Sequence, residues 1–205
     1  MSERQESPSV ASAPNILEAY RDYIPPQCVR KMVDDLLKAA PPRYLVGLQT
    51  IILTNQAAQP RKKKQQKTWS RNRKIKLVEA LGYYSGASRS SRASITLHID
   101  NIFKGATPRK LRDPFARYYL LASVLYHEIG HHIHAEHNPV YEGKENVAED
   151  WGDKLVKRFY RTHYWYLMSM FEPLGFLIKL SGWVNTRIRQ ITKTRNPDPK
   201  RDEDF

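Results

Sequence analysis

The chain has 205 residues, 40% hydrophobic and 27% charged, which suits one globular domain with tails and excludes a fibrous or wholly disordered protein. Its 34 Lys and Arg against 21 acids give a net charge of +13, which favours an anionic partner such as nucleic acid, an acidic protein or a membrane face without choosing among them. One cysteine, Cys28, leaves no intrachain disulfide and no cysteine-based zinc site, and the polar start "MSERQESPSVASAP" has no apolar signal core, so a cytoplasmic address is expected.

Residues 1–14 read as a disordered lead, and from Asn15 the pattern turns helical. In "QCVRKMVDDLLKAA", Val29, Met32, Val33, Leu36 and Leu37 fall on one helical stripe, which "PP" at 41–42 stops. "RYLVGLQTIILTN" then reads as a strand with a bulge at Gly47. Residues 61–76, "RKKKQQKTWSRNRKIK", hold nine basic residues and no acid, and read as a long exposed loop. They offer a polyanion or nucleic-acid contact in which Trp69 stacks on a base. In "ASITLHIDNIF" the alternation of Ile95, Leu97 and Ile99 with Thr96, His98 and Asp100 has the period of a half-buried strand. "GATPRKLRDP" is expected to be a loop, and "FARYYLLASVLYHEIGHHIHAEH" one long buried helix.

That helix carries the chemistry. His127 and His131 are four apart, so they lie one turn along the same face and both imidazoles reach one ion. Glu128 beside the first completes HExxH, the pattern of two metal ligands and a general base that takes a proton from a metal-activated water. Zinc in a catalytic site takes a third protein ligand. His134 is about 10 Å of rise beyond His127, too far on a straight helix. His137 has the spacing of HExxHxxGxxH proteins but needs the chain to turn back at His134, where those proteins place glycine. Glu145 opens a second amphipathic helix, "ENVAEDWGDKLVKRFY", on which Val147, Trp151, Leu155 and Phe159 recur every four residues. It can complete a His2Glu set, and Glu149 one turn later can orient a ligand histidine.

"HEIGHHIH" followed by "ENVAEDWGDKL" resembles the gluzincin zinc metallopeptidases, in their small intracellular, ImmA/IrrE-like form. Glu145, Ala148, Trp151, Gly152 and Leu155 stand where that pattern has its glutamate, alanine, aromatic, small residue and leucine, while Glu149 replaces the more usual Asp or Asn. The resemblance covers roughly 43–160. It implies an α+β fold, a zincin-like domain over 15–162 with a short mixed sheet packed on the HExxH helix and backing helices. It also implies Zn2+ held by His127, His131 and Glu145, with Glu128 as general base for peptide hydrolysis. The family's substrate lies along an edge strand, by position Ser94–Asp100 here. On such a strand His98 would face either the cleft or, as strand histidines more often do, solvent. Tyr141 and His163 are the nearest candidates for an oxyanion donor.

Residues 164–184 are the most apolar run, yet contain Glu172, Pro173 and Lys179, so core helices fit better than a membrane span. Interfacial anchoring through 164–190 is the alternative, which would make the protein membrane-peripheral. An apolar-then-basic extension over 163–190 and a polar tail over 191–205 complete the expected layout. Two functions stand: a zinc metallopeptidase acting on a protein or peptide, and a nucleic-acid-associated binding protein with a structural or vestigial zinc.

Overall fold

Val29, Met32, Val33, Leu36 and Leu37 are all buried, as the stripe requires, and they form the core face of helix α1, Val29–Ala39. The computed structural model describes residues 13–70, 73–88, 91–137 and 144–165. The chain divides into two compact units, Met1–Phe159 and Tyr160–Phe205. The described part of the second holds the end of a helix, where the Tyr160 and Tyr164 rings stack with centroids 5.3 Å apart. The remainder of the apolar run, the extension and the tail lie outside the described residues, as does most of the expected lead. Among the described residues no helix is long and apolar enough to cross a membrane.

The first unit is α+β. Before α1 comes strand β1, Asn15–Ala19, and after it β2, Leu48–Thr54. The helical reading from Asn15 is therefore corrected. "NILEA" is rich in helix formers, but parallel pairing of Asn15 through Ala19 with Thr50 through Thr54 outweighs local preference. The strand expected from Arg43 begins only at Leu48. Pro42–Tyr44 form a 3-10 turn that starts on the second of the two prolines, and Gly47 takes a φ of 85°, a conformation glycine adopts without strain.

The basic run is also corrected. It is not one loop but a short helix α2, Arg61–Gln65, and an antiparallel ribbon of β3, Lys67–Ser70, and β4, Arg73–Lys76. The Leu77 amide donates to the Gln66 carbonyl at 2.8 Å and closes the ribbon's base. Next come β5, Gly82–Ser85, and β6, Ala93–His98.

The main sheet has the order β1-β2-β6-β5, with β6 parallel to β2 and antiparallel to β5. It is a small mixed sheet, and two expectations about β6 fail with it. The strand is interior rather than an edge, and it is buried on both faces, with Ile95 and Leu97 at 0% exposure and Thr96 and His98 at 3% and 0%. His98 faces no cleft. Its Nδ1–H donates to the Ala80 carbonyl at 2.8 Å, locking the end of β6 to the segment before β5.

Short helices α3, Ile99–Ile102, and α4, Pro108–Arg112, lead into α5, Pro114–His137. The segment read as a plain loop thus contains α4, started by Pro108 after the Thr107 cap. Leu121, Leu125 and Ile129 of α5 are fully buried, and the Tyr126 hydroxyl donates to the Leu36 carbonyl at 2.9 Å, tying α5 to α1. Helix α6, Lys144–His163, buries Ala148, Gly152, Leu155 and Phe159.

Candidate metal centre

Helix α5 is continuous from Pro114 to His137, so the register of its histidines is fixed by helical geometry. One turn separates His127 from His131, and their Nε2 atoms lie 3.2 Å apart with the rings nearly perpendicular, at 86°. Glu145 reaches both from the first turn of α6. Its Oε2 is 3.6 Å from His127 Nε2 and its Oε1 is 3.7 Å from His131 Nε2.

Those separations have a specific meaning. A tetrahedral ion with donors at about 2.0–2.1 Å sets neighbouring donors roughly 3.3 Å apart. The three distances of 3.2, 3.6 and 3.7 Å bracket that edge length, so an ion fits between the three groups with little movement. Two imidazoles and a carboxylate are also the donor chemistry of a catalytic zinc site. Side-chain exposures of 29%, 19% and 34% for His127, His131 and Glu145 leave the centre open to solvent. Among the described residues, these three form the whole His/Cys/Asp/Glu group at the centre.

Close contact between α5 and α6 brings the carboxylate there. A Cβ on Gly130 would meet the Ala148 carbonyl oxygen at 2.5 Å, and one on Gly152 would meet the His127 backbone nitrogen at 3.2 Å. Gly130, Ala148 and Gly152 are small because the two backbones nearly touch, one turn from the imidazoles. The interleaved glycines are part of the site although they hold no ligand atom.

Glu128 lies beside the pair and is buried, at 6% exposure. Burial first, and the Glu145 charge second, push its carboxyl up to about 8, while a hydrogen bond from the Tyr84 backbone amide acts in the opposite sense. Tyr84 belongs to β5, so the edge strand of the sheet runs beside the carboxylate next to the histidines.

A neighbouring histidine strengthens that junction. His132 Nε2–H donates to the Val46 carbonyl at 2.9 Å, which makes Nδ1 the acceptor for the Tyr84 hydroxyl 3.2 Å away. His132 is 1% exposed and its ring packs on Tyr84 with centroids 5.5 Å apart. Neither Tyr84 nor His132 was singled out in the sequence, where no local period marks either.

The other candidates stay apart from the centre. His134 is buried at 4% exposure further along α5, outside the group. His137 ends an unbroken helix, about 15 Å of rise beyond His127, so the turn-back that would make it a ligand does not occur. Glu149 is exposed and makes no hydrogen bond or ion pair with either histidine among the described residues. Tyr141 falls outside the described residues, and His163 is an exposed residue of the second unit.

Fold and site together define an α+β protein with a His127, His131, Glu145 group able to hold a metal ion. No protein-family profile, curated protein or solved structure matches the chain.

Proposed function

We propose that the chain is a zinc metallopeptidase of gluzincin type, with His127, His131 and Glu145 as ligands and Glu128 as general base. The observation that carries the reading is the set of donor separations, 3.2, 3.6 and 3.7 Å, which matches the edge of a tetrahedral ion and leaves its fourth vertex to water or substrate. Bound Zn2+ would supply Lewis acidity toward the scissile carbonyl and acidify the attacking water to about pKa 7.

The chain's own residues do the rest. With a cation at the neighbouring imidazoles favouring its ionised form, Glu128 takes a proton from that water and delivers it to the leaving amine as the peptide bond breaks. Its buried position keeps bulk water from competing for the proton. Strand β5, not β6, is the sheet edge beside Glu128, so an extended peptide would pair its backbone there. Backbone pairing selects an extended segment of protein rather than a particular side chain.

A structural zinc serving a binding protein is the competing reading, and Glu128 argues against it. A carboxylate beside two ligands, buried at a cost and held by one amide, has no use in a closed four-ligand site.

The test is wild type and Glu128→Gln compared for bound metal and for hydrolysis of unfolded casein. The proposal expects both to hold about one equivalent of zinc, with hydrolysis falling at least ~100-fold in the variant. Equal hydrolysis by the two proteins would remove Glu128 from its role.

A further inference from the structure

The net charge of +13 is not spread along the chain. Residues 36–99 hold 13 Lys and Arg against one acid, Glu79, so this third of the sequence carries nearly all of it. Nine of those basic residues fall in 61–76, the segment that forms α2 and the β3–β4 ribbon. An excess that dense is costly to assemble unless something anionic is brought to it.

The register of the ribbon adds an independent fact. Lys67 pairs with Lys76 and Trp69 with Lys74, and residues directly opposite or two apart along a strand share a face. Lys67, Trp69, Lys74 and Lys76 therefore occupy one face, and Thr68, Ser70, Arg73 and Ile75 the other. A tryptophan among three lysines on one side of a two-stranded ribbon combines a stacking surface with cations for a phosphodiester backbone. That combination suits nucleic acid with unstacked bases, since a lipid surface or an acidic protein uses the charge but offers no base to stack.

We propose that the β3–β4 ribbon is a binding surface for single-stranded nucleic acid, with Trp69 as the base-stacking residue and Lys67, Lys74 and Lys76 as phosphate contacts. The ribbon takes no ligand from the His127 centre, so the two proposals stand or fall separately.

Fluorescence anisotropy of a labelled oligothymidine of about 20 nucleotides, titrated with the full-length chain, tests it. Saturable binding is expected at about 50 mM salt, weakening at least ~10-fold by about 200 mM, with a log–log slope near −0.7 for each phosphate neutralised. Trp69→Ala should weaken binding ~5-fold or more, whereas Trp69→Phe, which keeps a ring, should stay within about 3-fold of wild type. Replacing Lys67 and Lys74 by Gln should reduce the slope by about 1.4. Circular dichroism of each variant checks that the fold persists.

Absence of binding by the wild type at low salt would overturn the proposal. So would Trp69→Ala binding as tightly as wild type. Duplex of the same length, or phosphatidylserine vesicles, competing as well as the oligonucleotide would show that charge alone is recognised, and would overturn it too.

Discussion

Gly130 on α5 faces Ala148 on α6 so closely that a methyl group on the glycine would sit 2.5 Å from the Ala148 carbonyl oxygen and 2.8 Å from its Cα. Both obstacles are backbone, so neither can rotate aside. The third residue between His127 and His131 thus sets how near α6, and with it Glu145, comes to the imidazoles.

Gly130→Ala should therefore push the helices apart and spread the three donors. A stability loss of about 1–3 kcal/mol is expected, the usual range for an overpacked interior. Zinc affinity, measured by competition with a chromophoric chelator, should fall at least ~10-fold. Gly152→Ala, where the nearest backbone atoms are at 3.2 Å, should do less of both. Wild-type affinity in Gly130→Ala would show that Glu145 does not depend on this contact.

Tyr84 joins the sheet edge to α5 twice, through its amide to Glu128 and its hydroxyl to His132. Tyr84→Phe keeps the first link and removes the second, leaving His132 Nδ1 without that donor in a nearly closed environment. The expected cost is about 1–3 kcal/mol in urea unfolding, with zinc stoichiometry unchanged. Loss of zinc in this variant would mean that the hydroxyl, not only the amide, holds the centre in shape.

The raised Glu128 carboxyl makes a prediction about the metal-free chain. An acid with an ordinary value of 4.5 and a folded value of about 8 keeps, when folded, a proton that the unfolded chain releases. Its stabilising share is fully present below 4.5 and is lost as pH rises through 8. The slope is at most about 1.4 kcal/mol per pH unit. Unfolding of the metal-free protein at pH 5 and pH 8.5 should show the decline, and Glu128→Gln should flatten it. An equally steep decline in the variant would place the titrating group elsewhere.

How much of this was legible in the sequence depended on whether a local period carried the signal. Helix α1 was legible because Val29 through Leu37 repeat at helical spacing, and α5 because a mostly apolar run of over twenty residues is broken by no proline and by one glycine alone. The grouping of His127, His131 and Glu145 followed from one turn of helix and an acid opening the next. Strand β1 was hidden because a five-residue stretch whose Leu17, Glu18 and Ala19 prefer helix was decided by pairing with β2, some 35 residues away. The interior position of β6, and with it the burial of His98, depended on which strands flank it, and alternation in one strand says nothing of that. Tyr84 was invisible for the same reason, since its role exists only once β5 is known to be the edge. Gly130 inside an apolar helix was a readable sign of close approach whose partner the sequence did not name.

The central claim is that one ion sits among the two α5 imidazoles and the α6 carboxylate. Calorimetric titration of zinc into the metal-free full-length chain tests it most directly, run beside Glu145→Ala and His137→Ala. One equivalent should bind to wild type and to His137→Ala alike, and stoichiometric binding should be lost in Glu145→Ala. A wild type that takes up no zinc, or a Glu145→Ala variant that binds it as tightly as wild type, would contradict the account.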